Sequence, residues 1–240
     1  MKVAVIIYGQ LRELDISIKS WDFVKVLDCD FYFSNWSKTY VQSGNLGIKD
    51  IRYIDKQDIL KNIPNAKINI IDEDDYFPYE VYKDMDYKSA RVVFHMKNAL
   101  RMIKESGIKY DYIMLTRSDM FLKFNFPISD LYKMNDKDKI YGITDIHIND
   151  KNQLFMFDCF FFGDYEVMSR MIRNIPYNLD GMHTGLAQHI QQCGLKVVGL
   201  GGSLDCIPIR PNCRNLKDEE LTPKNISQKS IEWGANYFYP

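Results

Sequence analysis

Apolar runs of a strand's length alternate along this chain with segments whose apolar positions recur every three to four residues. That alternation predicts a parallel or mixed α/β sheet. Lys2–Ile7 is a continuous apolar run suited to a strand buried on both faces. Residues 13–27 place Leu14, Ile18, Trp21 and Val24 at helical spacing. Further strands are predicted at Cys29–Ser34, Lys67–Ile71, Tyr112–Thr116, Lys139–Ile143, Asp158–Gly163 and Lys196–Leu200. Helices are predicted over Ser89–Ser106, which meets a stop signal at Gly107, and near Asp164–Ile175 and Thr184–Cys193. Residues 35–50, with Gly44, Asn45 and Gly47, read as a long loop, and the stretch from Gly201 onward reads as a segment wrapping the domain.

Composition narrows this picture. Of 240 residues, 46% are hydrophobic and 26% charged, the balance of a globular chain and not of a disordered regulator. With 13 Gly and 8 Pro there is little linker sequence, and no internal repeat or domain boundary stands out. Lys+Arg number 31 against 32 for Asp+Glu, a net charge of −1 with no basic run, which argues against nucleic acid as a partner. The five cysteines are scattered without a C-x-x-C pair, so neither a zinc site nor a disulfide framework is expected and a reducing cytoplasm is the natural compartment. The apolar start is too short for a signal peptide or a membrane span, and no transmembrane segment is expected.

The densest chemistry follows the strand at Tyr112–Thr116, in Arg117-Ser118-Asp119. Extended chain places Arg117 and Asp119 on one face, just past the apolar run. Ligands of open α/β sheets bind at such carboxyl ends, where an Arg engages a diphosphate directly and an Asp does so through a divalent metal. The plainer alternative is an ion pair closing a strand turn. A second element is Tyr8-Gly9-Gln10-Leu11-Arg12: Gly9 permits a tight turn, Tyr8 can stack on a base and Arg12 can reach a phosphate, or the stretch is an ordinary strand-to-helix loop. It is neither a Walker loop nor a three-glycine dinucleotide fingerprint. His95 and His189 lie within helical runs and read as packing residues.

Tyr8-Gly9-Gln10-Leu11-Arg12, Phe31-Tyr32-Phe33-Ser34-Asn35-Trp36-Ser37, Thr116-Arg117-Ser118-Asp119 and Asp158-Cys159-Phe160-Phe161-Phe162-Gly163 occur in that order. Together they resemble a group of small nucleotide-sugar-dependent glycosyltransferases of the GT-A fold, over residues 1 to about 198. The resemblance implies a single-domain α/β fold with a mixed sheet flanked by helices. Its nucleotide-binding half would span residues 1–120, its acceptor side 121–200 and its wrapping segment 201–240. It implies that Tyr8, Gly9, Gln10, Arg12 and Arg117 lie along the nucleotide, and that Asp119 matches the final, metal-binding aspartate of the Asp-x-Asp motif. Arg117 stands where that motif has its first aspartate, which weakens a site for Mn²⁺ or Mg²⁺.

Asp158 is the candidate base that takes the acceptor's proton, or else a capping residue at a strand start. His183 is a candidate further metal ligand, or else a helix-start residue facing water. The implied partners are a nucleoside-diphosphate-sugar donor and a glycan or lipid-linked acceptor. The implied location is cytoplasmic, with peripheral membrane association where the acceptor is lipid-linked. Two alternatives stand beside sugar transfer. One is a sugar nucleotidyltransferase, although the longer glycine-rich loop and downstream Lys-Pro of that family do not follow Gly9. The other is a catalytically inactive carbohydrate- or nucleotide-binding module, which the Arg117 departure keeps open. Asp119→Ala is expected to abolish transfer and leave the fold intact.

Overall fold

The strand at Lys2–Gly9 (β1) carries Val3, Val5 and Ile7 on one face and Ala4, Ile6 and Tyr8 on the other, and each set belongs to a different core cluster. A strand buried on both faces must be central, and β1 is. A computed structural model of the chain describes residues 1–42, 48–72, 87–122, 136–142, 159–179, 185–200 and 206–232, together with residues 130, 133 and 182. In it β1 pairs in parallel with Asp28–Trp36 (β2) on one side and with Tyr112–Thr116 (β6) on the other. β2 continues in parallel to Lys67–Ile71 (β5). Beyond β6 lie Phe160–Asp164 (β9), antiparallel to its neighbours, then Lys139–Gly142 (β8) and Lys196–Gly199 (β10). The order is β10-β8-β9-β6-β1-β2-β5, a seven-stranded mixed sheet.

Helices cover both faces, so the α/β class with a mixed, helix-flanked sheet is as expected. Tyr87–Glu105 (α4), Tyr165–Asn174 (α5) and Leu186–Gln192 (α6) place Val93, Met96, Leu100, Met168, Met171 and Ile190 against the Ala4–Ile6–Tyr8 face. The other face receives Leu14, Phe23 and Ile59 from short helices at Leu14–Ser17 (α1), Phe23–Val26 (α2) and Lys56–Asn62 (α3). Gly107 follows α4 at φ 67°, the left-handed geometry that lets a glycine end a helix. Asp164 caps α5, accepting from the backbone N–H groups of Glu166 and Val167. His95 and His189 are buried, as expected: His95 Nδ1 meets Ser34 Oγ at 2.8 Å, and burial pushes its pKa down to about 3.

Three readings from the sequence change, and one element is added. The helix predicted over residues 13–27 breaks into α1, a 3₁₀ turn at Ile18–Ser20 and α2. Ser17 Oγ and Ser20 Oγ donate to the carbonyls of Glu13 and Ser17, the local bonding by which serine competes with a helix. Trp21 then turns its indole N–H to the carbonyl of Met120 at 2.9 Å. The loop predicted over 35–50 holds the antiparallel strands Lys38–Gln42 (β3) and Ile48–Tyr53 (β4); its glycines lie in 43–47, outside the described residues. α3 carried no prediction. Within the wrapping segment, Cys206–Pro208 (β11) pairs antiparallel with Met120–Leu122 (β7), and Pro223–Glu232 (α7) is helical. Ile207, Ile209, Cys213 and Ile226 pack there with Ile16 and Phe121 in a satellite core.

Candidate functional site

The chain runs from β1 outward to β2 and β5, then returns to the other side of β1 as β6. The carboxyl ends of β1 and β6 therefore flank a topological switch point, where a crevice opens between diverging connections. Register aligns these ends: Gly9 lies opposite Asn35, and Ile7 opposite Thr116. The two stretches singled out in the sequence, 8–12 and 117–119, leave the sheet side by side.

Gly9 has φ 90°, a conformation that lets the backbone turn at once after the strand. Asn35, fully buried, donates from Nδ2 to the Gly9 carbonyl at 3.0 Å. Ser118 joins the loops: its Oγ accepts from the Arg12 backbone N–H at 2.9 Å and donates to the Gln10 carbonyl at 3.1 Å. Gln10 Oε1 accepts from the Arg12 guanidinium. Gly9, Gln10, Arg12 and Arg117 thus meet at one edge. Tyr8, expected to stack on a base, is 1% exposed and packs in the core under α4.

Asp119 is the electrostatic centre. Its side chain is only 2% exposed, and Arg117, at 28%, grips it with two bonds, Nε to Oδ1 at 2.9 Å and Nη2 to Oδ2 at 2.8 Å. Burial alone would raise the carboxyl's pKa. The charge and hydrogen bonds of Arg117, then the charges of Arg12 and Arg210, outweigh that and hold it below the usual carboxylate range. Arg210 was not singled out in the sequence. It arrives because β11 pairs with β7 and the Ile209 N–H donates to the Asp119 carbonyl at 2.7 Å. Arginines from three distant stretches of chain thus act on one buried carboxylate, Arg117 by direct bonds and Arg12 and Arg210 through their charge.

Both carboxylate oxygens of Asp119 are taken by Arg117, and among the described residues no three His, Cys, Asp or Glu side chains gather to hold a metal. A divalent cation prefers six oxygen ligands, so these residues do not by themselves form its site. His183 and Asp158 lie outside the described residues. Cys159, next to Asp158 in the chain, is tied to this edge through its carbonyl, which accepts from Thr116 Oγ1 at 2.9 Å. Among the described residues no helix is long and apolar enough to cross a membrane.

No family model matches the chain, and no curated protein matches it. Among solved structures it is similar to a nucleoside-diphosphate-sugar pyrophosphorylase from Vibrio cholerae RC9, at 13% identity over 88% of this chain and 97% of that one, with a TM-score of 0.48.

Proposed function

We propose that the protein is an enzyme acting on a nucleoside-diphosphate sugar, whose diphosphate lies between the Gly9–Arg12 turn and Arg117–Asp119. The observation that carries this reading is the buried Asp119 carboxylate with Arg117, Arg12 and Arg210 converging on it at the switch point. Cationic side chains gathered before the ligand arrives stabilise charge on a departing phosphate without rearranging at the moment of reaction. The Ser118 bridge fixes the Arg12 backbone relative to the Arg117–Asp119 pair, so the two loops present their charges in one geometry.

Two reactions use such a site. In sugar transfer, an acceptor hydroxyl oxygen bonds to the anomeric carbon and that carbon's bond to the diphosphate oxygen breaks. The electron pair leaves on the diphosphate and the hydroxyl proton passes to a base, for which Asp158 is the proposed residue. In nucleotidyl transfer, a sugar phosphate attacks the α-phosphorus of a nucleoside triphosphate and pyrophosphate leaves; the Vibrio cholerae protein is named for this chemistry. Were a divalent ion required, Asp119 and His183 are the residues that would hold it, and it would stabilise charge on the departing phosphate; the Mn²⁺ and EDTA arms of the test below decide whether it is. We place the enzyme in the cytoplasm, with a glycan or lipid-linked acceptor in the sugar-transfer case.

The test is thermal unfolding with UDP, GDP, CDP and dTDP, each with Mn²⁺ and with EDTA. A ligand at about a hundred times its Kd adds about 2.7 kcal/mol. A base-selective shift is expected. No shift with any of the four overturns the reading. Incubating the selected nucleotide sugar with and without pyrophosphate then separates the reactions. Release of nucleoside diphosphate marks sugar transfer, and pyrophosphate-dependent release of nucleoside triphosphate marks nucleotidyl transfer.

A further inference from the structure

The turn between β1 and α1 is bracketed by two residues in the left-handed region of backbone space. Gly9, at φ 90°, lacks the Cβ that makes this conformation costly; Glu13, at φ 44°, has one. Among the described residues, Glu13 is the one residue other than glycine with a positive φ. Such a backbone persists only where its surroundings over-determine it.

Three holds act on Glu13. Its carbonyl accepts from the N–H groups of Ile16 and Ser17, at 3.1 and 2.9 Å, and from Ser17 Oγ at 2.8 Å, which locks it to the first turn of α1. On its other side the Arg12 N–H is bonded to Ser118 Oγ at 2.9 Å, which holds the turn against the stretch after β6. Rotation about φ of Glu13 would displace one of these fixed groups against the other. The third hold is the side chain, which is buried: Oε2 lies 2.8 Å from Nε of Arg214. The same guanidinium reaches Asp15 through Nη1 at 3.0 Å and Nη2 at 3.3 Å. Burial pushes the Glu13 pKa up, and the charge of Arg214 is the strongest influence against that, ahead of Arg52. A glycine would meet the backbone demand at this position without strain. What glutamate adds is a carboxylate for an arginine of the C-terminal segment.

We propose that Arg214 is a positioning residue: it holds Glu13 in its left-handed conformation and so fixes the Gly9–Arg12 turn against Ser118, in the arrangement that receives the diphosphate. That the turn receives a diphosphate rests on the function proposed above; the clamp itself rests only on the geometry around Glu13. The C-terminal segment therefore acts on the ligand-binding edge through the turn's backbone, by way of a side chain that need not touch the ligand.

The experiment is amide hydrogen exchange at Arg12 and Ile209 in the full chain, with calorimetric titration of the nucleoside diphosphate selected by the panel. Wild type is compared with Arg214→Ala, Arg214→Lys, Glu13→Gly and the double variant Glu13→Gly/Arg214→Ala. Arg214→Ala is expected to speed exchange at the Arg12 amide and to weaken nucleotide binding, each about tenfold, as for the loss of a contact between charged groups. The Ile209 amide, bonded to the Asp119 carbonyl at 2.7 Å, is expected to stay protected, because the segment remains docked through its apolar residues. Arg214→Lys keeps the charge and is expected to recover most of both losses. Glu13→Gly should match Arg214→Ala, and the double variant should do no more than either, since each removes the same contact. Unchanged protection of Arg12 in Arg214→Ala overturns the proposal, as does unchanged nucleotide affinity. A loss of equal size at Ile209 also overturns it, by making the arginine an anchor of the whole segment. Full protection of Arg12 in Glu13→Gly, or losses that add in the double variant, do the same. A wild type that binds none of the nucleotides removes the function proposed above and leaves exchange at Arg12 to decide the clamp.

Discussion

The sheet carries a charged cluster at each end, and they are built on opposite plans. At the amino end of the strands, Asp30 takes Lys2 at 3.1 Å, Lys67 at 3.0 Å and the Tyr110 hydroxyl at 2.6 Å, and Tyr110 is bonded in turn to Tyr32. There the anion is at the centre, its partners stand on neighbouring strands, and the hydroxyls close the network. At the carboxyl end, Asp119 is also central, but its three arginines come from a turn, a strand exit and the far C-terminal segment. The amino-end cluster ties β1, β2 and β5 together. The carboxyl-end cluster joins loops that lie outside the sheet, the turn after β1 and the stretch after β6, through Ser118. The binding proposed above draws on the second arrangement, whereas the first ties strands together.

Substitutions at the two ends test this contrast. The largest effect is expected for Asp119→Ala: removing a buried carboxylate from among three arginines costs about 3–5 kcal/mol, read as a lower urea midpoint. This revises the expectation that the variant keeps its fold intact, and it makes Asp119→Asn, which preserves shape, the cleaner variant for nucleotide binding. An unchanged urea midpoint in Asp119→Ala would show that the arginines do not depend on that carboxylate.

Asp30 comes next. Burial would raise its pKa, but hydrogen bonds from Tyr110, Lys67 and Lys2 hold it at about 2, down from 3.8. A depressed carboxylate contributes stability in full above its unfolded value and loses it as pH falls through the folded one. The window is therefore pH 3.8 down to about 2. Asp30→Asn should lower stability at neutral pH by on the order of 2 kcal/mol. It should flatten the acid limb of melting temperature against pH and leave the nucleotide shift untouched. A lost nucleotide shift in this variant would erase the distinction between the two ends.

Gly9→Ala is the smallest of the three. No atom lies within 4 Å of an added Cβ, so the cost is the φ of 90° alone, about 1–2 kcal/mol. Nucleotide affinity should fall with it, because the turn sets the Arg12 backbone against Ser118. Full retention of both stability and affinity would show that the turn tolerates a side chain.

Where one stretch of sequence holds the whole signal, the structure follows it closely. Lys67–Ile71 and Tyr112–Thr116 are strands at the predicted residues, because a short apolar run bounded by polar residues has few other uses. The β3–β4 pair was legible in principle. Thr39-Tyr40-Val41 and Ile51-Arg52-Tyr53 flank a glycine-containing stretch, the mark of a hairpin, whereas the glycines taken alone read as a loop. The Gly9 and Arg117 loops carry motifs visible in the sequence, and the structure sets them side by side. Ser118 and Asn35 stood within quoted motifs without a role, since their part is to bond backbone groups of a strand distant in sequence. Arg210 had no local signal: only the pairing of β11 with β7 delivers it.

That pairing also sets an order on the chain's own making. A nascent chain holds β1, β2, β5 and β6 by residue 116, but it lacks Arg210 until more than ninety further residues have been added. The anion cluster is complete only once that segment has come back to lie beside β7. A nascent chain that has not yet reached β11 carries β1, β2, β5 and β6 without the third arginine of the cluster, so the electrostatic setting of Asp119 is completed later than the strands that support it.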